Sequence, residues 1–171
     1  MFSMSLQLVK ELIQSPTVAV PSIGEGYRGV EGRSGYLLRQ AWHEFRGAME
    51  SVLRQHDLTT AQYAALSVLR REPGLSSAEL ARGCNISPQA MNGIVATLER
   101  DGLVQRRPHA THGRILQLTL TEEGERRVEE ARPFVGGLEQ IADEGYSDEQ
   151  LAIIREWLVT TAQRMVATAK R

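Results

Sequence analysis

A single cysteine among 171 residues, Cys84, rules out an intrachain disulfide framework and fits a reducing compartment. No apolar run approaches the roughly 20 residues that a membrane helix needs. Lys10 and Glu11 break the apolar stretch near the N-terminus, which also lacks the basic start of a signal peptide. A cytoplasmic chain with no membrane partner is therefore the expectation. Bulk positive charge is missing too: the formal net charge is −1, so composition by itself does not advertise a nucleic-acid ligand. No Ser/His/Asp arrangement, glycine-rich phosphate loop or carboxylate pair stands in a recognisable context, which argues against an enzyme and against a cofactor. Of the four histidines, His43, His56, His109 and His112, the last two are near enough in sequence to chelate, with Cys84 conceivable as a third ligand. Without a second cysteine or a convergent carboxylate, no metal site is expected.

What is present is an ordinary globular composition, 42% apolar and 24% charged, at a length that suits one domain with helical arms. The charge is unevenly placed. Residues 60–120 hold seven arginines against four acidic side chains, and residues 121–171 hold seven basic against eleven acidic side chains. A basic middle beside an acidic tail permits a local phosphate-facing surface.

The most organised stretch runs from Leu75 to Arg100. Ser76 can cap a helix, with Glu79 three residues on completing a capping box. Ser87 can cap a second, with Pro88 at the first helical position, where a missing N–H is harmless. Between them Gly83-Cys84-Asn85 provides a tight break, with Gly83 expected to take the left-handed dihedral that ends a helix. Leu80, Ala81 and Ile86 would hold the two helices at an angle. Helix, short turn and capped second helix make a helix-turn-helix pattern, although an αα-corner would read the same way over this stretch alone.

On either side the periodicity is also informative. Residues 4–14 read as a short amphipathic helix, and Pro16, Pro21 and five glycines up to Gly35 read as a linker or extended arm. From Tyr36 to about Arg54, Leu38, Trp42, Phe45, Met49 and Val52 form a continuous helical seam. A second helix restarts at Leu58-Thr59-Thr60, carries Tyr63, Leu66 and Leu69, and ends near Pro73-Gly74. After Asp101-Gly102 the period changes to that of two strands, residues 103–107 and 115–120, flanking a polar tip from Pro108 to Arg114. A hairpin directly behind a helix-turn-helix is a wing. Thr121 caps a further helix that Pro133 and Gly136-Gly137 are expected to kink or split before Glu144. Ser147 to Gln150 form another capping box, opening a last helix with Leu151, Ile154, Leu158 and Met165 on one stripe and Trp157 alongside.

The expected fold is therefore mainly α with a small β-hairpin: a winged helix-turn-helix domain between N- and C-terminal dimerisation helices. Residues 1–35 would be a helical arm and linker, 36–57 a dimerisation helix, 58–121 the DNA-binding domain and 122–171 the C-terminal dimerisation helices. The terminal seams suit a homodimer. Packing on one another within a monomer is the alternative.

Residues Met91, Ile94, Val95 and Leu98 of the second motif helix repeat at core spacing. Its other face offers Gln89, Ala90, Asn92, Gly93, Thr97 and Arg100. These are amides that hydrogen-bond adenine edges, small residues that allow close approach, and a methyl-bearing threonine. Ser87 and the first N–H groups can meet a phosphate, and no acidic side chain appears on that face before Glu99. Arg106 and Arg107 on the hairpin, and Arg114 at its tip, complete a double-stranded DNA interface, the tip arginine suiting a narrow minor groove. One of Arg106 and Arg107 is expected to be merely a solvated strand residue.

Taken in order, Leu58-Thr59-Thr60-Ala61-Gln62-Tyr63, Ser76-Ser77-Ala78-Glu79-Leu80-Ala81, Leu98-Glu99-Arg100-Asp101-Gly102-Leu103-Val104, Arg106-Arg107-Pro108 and Leu120-Thr121-Glu122-Glu123-Gly124 resemble the MarR (multiple antibiotic resistance regulator) family of bacterial transcription factors. The resemblance covers about residues 36–170. It implies a homodimer that sets one recognition helix per subunit into successive major grooves of a pseudopalindrome. It also implies a small, often phenolic or aromatic acid effector bound between the dimerisation helices and the DNA-binding lobe, usually releasing DNA. Ser76 joins the DNA-facing set on this reading. The wing departs from the family pattern: His112 stands where an aspartate usually braces the arginine two residues on, here Arg114. The N-terminal extension to about Gly35 is also longer than the usual lead-in.

For the effector, Trp42, His43 and Arg46 on the first long helix and Tyr63 and Leu66 on the second make a candidate wall, an aromatic, a cation and a titratable donor suiting a small carboxylate. Two other readings compete with a ligand-released repressor. One is a winged-helix protein-interaction module that does not read DNA. The other is a redox-responsive regulator acting through Cys84, although a small buried turn residue favours a structural cysteine.

Overall fold

The computed structural model describes residues 20–108 and 116–169, which fall into two compact units divided between Glu44 and Phe45. The helix expected at residues 4–14 and the wing tip carrying His109, His112 and Arg114 lie outside the described residues. The elements are α1 (Ser34–Arg54), α2 (Thr60–Arg71), α3 (Ser77–Gly83), α4 (Pro88–Arg100), β1 (Val104–Pro108), β2 (Leu116–Leu120), α5 (Glu122–Asp143) and α6 (Asp148–Ala169). No described helix is long and apolar enough to cross a membrane.

In the first unit, the stretch expected to be a linker is tied down. A 3-10 turn at Gly26–Arg28 brings the Arg28 guanidinium onto the side chain of Gln40, Nε donating to Oε1 at 2.8 Å, while Gln40 Nε2 donates back to the Arg28 carbonyl at 3.2 Å. A second guanidinium nitrogen donates to the Pro21 carbonyl at 3.1 Å. The chain crosses itself so closely that a Cβ on Gly29 would lie 2.5 Å from the Gly24 carbonyl oxygen. Side-chain hydrogen bonds to α1 therefore replace the solvated freedom that proline and glycine suggested.

The second unit holds the core. Met49 and Leu53 of α1, Ala65, Leu66 and Leu69 of α2, Leu80 and Ala81 of α3, and Met91, Val95 and Leu98 of α4 are buried together with Leu103, Val104, Leu118, Val128, Ala131 and Val135. The starts of α2 to α6 have local causes. Thr59 caps α2 in a capping box with Gln62, Ser76 caps α3 in one with Glu79, and Ser87 caps α4 with Pro88 following. Thr121 caps α5. Its hydroxyl also donates to the Gly102 carbonyl at 2.7 Å, which joins the end of α4 to the start of α5. Ser147 and Gln150 exchange the reciprocal bonds of a capping box ahead of α6.

The turn between α3 and α4 corrects one expectation. Gly83 is the last helical residue, and the left-handed position falls on Asn85, with φ of 55°. The Asn85 N–H donates to the Arg82 carbonyl and the Ile86 N–H to the Ala81 carbonyl, which together make a Schellman ending. Asparagine tolerates that dihedral, and Gly83 is small for a different reason: a Cβ there would sit 3.3 Å from Val68 Cγ1 on α2.

The hairpin is antiparallel, in the register Val104 with Leu120, Arg106 with Leu118 and Pro108 with Leu116. Leu118 N–H donates to the Leu75 carbonyl and Gly74 N–H to the Leu118 carbonyl, both at 2.9 Å, so the α2–α3 connection pairs with β2. Of the alternating leucines, Leu118 is buried, Leu120 half-buried and Leu116 exposed where the strands leave the core.

Pro133 does not split α5, which runs as one helix from Glu122 to Asp143. Val128, Ala131 and Val135 pack into the core on both sides of the exposed proline, so tertiary burial offsets the lost hydrogen bond. Arg70 of α2 pairs with Glu125 and Glu129 of α5, and Arg127 donates to the His56 carbonyl while Phe134 lies against the His56 ring.

Candidate nucleic-acid interface

Helix α4 divides its residues between two environments. Met91, Val95 and Leu98 have no exposed surface. Gln89, Ala90, Asn92, Gly93 and Arg100 are exposed, and Thr97 is half-buried at the edge of the same face. Gly93 meets nothing: a Cβ built there has no neighbour within 4 Å, so the absent side chain serves no packing within the fold. The face is thus polar, uncharged over its first ten residues and free of bulk near its centre, which permits close approach of a rigid edge.

The helix start carries the right polarity. The Ser87 hydroxyl accepts from the Ala90 N–H at 3.2 Å and Pro88 has no N–H, so within the first turn the Gln89 N–H is left without a partner among the described residues, at the positive end of the helix dipole. Ser76 is more fully committed. Its hydroxyl and its N–H both donate to one Glu79 carboxylate oxygen, at 2.7 and 2.8 Å, and these bonds hold the Glu79 carboxyl below its ordinary range. Within the fold, Ser76 positions α3.

The arginines separate by partner. Arg106 Nε donates to Glu99 Oε1 at 2.8 Å, which fastens the wing strand to the last turn of α4 and neutralises the acidic residue nearest the reading face. Arg107, next along the strand, is exposed and makes no ion pair among the described residues. It is the strand arginine available to a phosphate. Arg100 lies against its neighbour Asp101 at 3.0 Å, both largely exposed. Arg114 lies outside the described residues. The Glu99 contact was not foreseen, because it joins residues seven apart on two different elements. Neither was the bond from Ser77 Oγ to Asn92 Oδ1, 2.7 Å long and joining α3 to α4.

Cys84 caps α3 and is half-buried, and burial pushes its thiol above the ordinary value. A raised thiol carries less thiolate at neutral pH, the opposite of what a reactive cysteine needs.

Away from this surface, a cleft of about 460 Å³ opens between α2 and α5, lined by Tyr63, Ser67, Arg70, Arg71, Arg132 and Val135 among others. The Ser67 hydroxyl is buried and has no hydrogen-bond partner among the described residues. Of the candidate effector residues, Tyr63 lines this cleft. Leu66 points into the core, Arg46 pairs with Glu50 one turn on, and Trp42 and His43 are exposed on the first half of α1. Ser67, Arg71 and Arg132 also line the cleft and were not among the candidates, since a side chain on α5 offers no sign in sequence of which residue on α2 it faces.

Comparison with known proteins agrees with this architecture. A sequence profile described as MarR family matches residues 56–115. The chain is 39% identical over 101 residues to the HTH-type transcriptional repressor Rv2887 of Mycobacterium tuberculosis, covering 59% of this chain and 73% of the relative. The crystal structure of the Mycobacterium tuberculosis MarR family protein Rv2887 in complex with p-aminosalicylic acid matches with a TM-score of 0.61 at 30% identity, over 77% of this chain and 99% of that one. The structure of CouR from Rhodococcus jostii RHA1 bound to p-coumaroyl-CoA matches with a TM-score of 0.70 at 26% identity, over 75% and 90% respectively.

Proposed function

The chain belongs to the MarR family of transcriptional regulators, and from that premise we propose that it is a homodimeric repressor of a pseudopalindromic operator, released by a small aromatic acid. The observation that carries the DNA reading is the sorting of α4: its apolar residues are wholly buried, and its outer face presents Gln89, Ala90, Asn92 and Gly93 with no acidic competitor. Amides and small residues on a capped helix are what a major groove accepts. Arg107 on the strand, and Arg114 at the tip, supply phosphate and minor-groove contacts.

The dimer reading is supported by α6. None of its residues is buried, yet it carries Ile154, Trp157, Leu158 and Met165 on its surface. The first half of α1 adds exposed Leu38 and Trp42. A 22-residue helix with that composition needs a second apolar surface.

The effector reading is supported by the α2–α5 cleft. Arg71 and Arg132 supply positive charge, Ser67 and Tyr63 supply hydroxyls, and Val135 supplies an apolar wall, the set a small aromatic carboxylate requires.

The deciding experiment is selection of bound sites from random DNA by the purified protein. Two half-sites centred about 10 base pairs apart are expected. Affinity should fall steeply between roughly 50 and 200 mM salt. No retention on DNA at low salt would favour a docking module instead. Calorimetry with a panel of aromatic acids, wild type against Arg132→Ala, tests the effector site: no heat, or no change in the variant, excludes it.

A further inference from the structure

We propose that Gly93 is a specificity-determining residue of the DNA interface, a notch on α4 that takes the C5-methyl group of one thymine in each half-site. The inference rests on α4 entering the major groove. Gly93 is the sixth of the thirteen residues of α4, on its exposed face. After proline, glycine is the least favourable residue inside a helix, because it gives up the most backbone freedom there. Two other glycines of the lobe have a reason within the chain. A Cβ on Gly124 would strike the Leu103 carbonyl oxygen, and Gly102 takes a φ of 72° that side chains rarely adopt. Gly93 has neither reason: its backbone is ordinary right-handed helix, and a Cβ there would meet nothing within 4 Å. Alanine would suit the free protein better, so what glycine gains at this position lies outside the chain.

The notch has only carbon and hydrogen to offer. Inside the helix the Gly93 N–H and carbonyl are bonded to the residues four away on either side. One turn before it on the helix surface stand Gln89 and Ala90, and one turn after it Ala96 and Thr97. Three of these four side chains carry a methyl group. A base amino group or carbonyl oxygen pressed against the bare Cα would lose its water and gain no hydrogen bond. Among the four bases only thymine sets an apolar group in the major groove, its C5-methyl. That methyl matches the one glycine omits, so it can occupy the space a Cβ would otherwise fill. Cytosine, with a hydrogen at the same ring position, would leave the notch empty.

The test begins with selection from random DNA by wild type and Gly93→Ala, which finds the position whose preference the variant changes. Wild type is expected to select thymine there. Both proteins are then titrated with the selected operator carrying thymine or deoxyuridine, which lacks only the methyl, at that position. Wild type should bind roughly fourfold more weakly when one half-site loses the methyl. Gly93→Ala should lose roughly fivefold or more on the thymine operator, where two methyl groups compete for one space. On the deoxyuridine operator the variant should bind more tightly than on the thymine one, since its own methyl then fills the notch. Thermal unfolding of the free protein should move the other way, with the variant melting roughly 2–4 °C higher. A lower melting temperature in the variant, a base other than thymine at the affected position, an unchanged preference, or equal losses on both operators overturns the proposal. Failure of wild type to select any site overturns instead the DNA reading on which it stands.

Discussion

The winged-helix lobe buries its apolar residues, whereas helix α6 leaves its own exposed. In the lobe, side chains from α1 through α5 and both strands close over one another, and ten of the largest are shielded completely. Helix α6 is as long as α5 and carries Ile153, Ile154, Trp157, Leu158 and Val159, yet none of its described residues is buried. The lobe thus closes its core within one chain, whereas α6 keeps a large apolar surface exposed among the described residues. Helix α1 shows both conditions along one element: Met49 and Leu53 are core, while Leu38 and Trp42 are exposed. Equal apolarity does not mean equal burial; what differs is whether other elements of the chain reach that face.

Substitutions can break this contrast in order of expected size. Leu98→Ala opens a cavity in the lobe and should lower unfolding free energy by about 2–5 kcal/mol, measured by chemical denaturation at any protein concentration. Leu158→Glu should leave the lobe's helical content intact and abolish association, weakening the dimer by about 2 kcal/mol or more. Sedimentation equilibrium would detect that change, and an unchanged molar mass would place α6 outside the interface. Gly124→Ala attacks the lobe where the start of α5 meets the residue leading into β1. A Cβ there would lie 2.1 Å from the Leu103 carbonyl oxygen, a backbone atom that cannot swing aside. A loss of about 1–3 kcal/mol in thermal unfolding is expected, the penalty of forcing an overpacked site to shift.

The smaller effects concern charge. Arg107→Ala should lower DNA affinity alike for all sequences and reduce the slope of log affinity against log salt by about one. On α5, Arg126 and Arg127 hold the Glu123 carboxyl down at about 2. A depressed carboxyl stabilises the fold above its unfolded value, 4.5, and that contribution disappears as pH falls toward 2. Glu123→Gln should therefore flatten the acid limb of a melting-temperature profile between those values and change little at pH 7. The carboxyl is in contact with solvent, so the effect is the smallest of the set.

How much could be read without the structure depends on how far apart the interacting residues lie. Capping at Ser76, Ser87, Thr121 and Ser147 was legible because each cap bonds within its own first turn. The buried stripe of α4 was legible because Met91, Val95 and Leu98 recur at the helical period. The hairpin followed from a change of period behind Asp101-Gly102. The lining of the α2–α5 cleft was only partly legible, since Tyr63 stood among the candidates while Arg71 and Arg132 did not.

By itself, then, the sequence determined where helices begin, which faces are apolar and that a wing follows the motif, since these depend on neighbours within a turn or two. Tertiary structure decided the rest. It gave the left-handed position to Asn85, where the helix-ending hydrogen bonds fall, and set Gly83 against Val68. It kept α5 whole through Pro133 because core contacts flank the proline on both sides. It also set Arg106 on Glu99 and Ser77 on Asn92, choosing which polar groups remain free to meet DNA. A side chain's type records what it can bond; only the packing of separate elements decides which bond it makes.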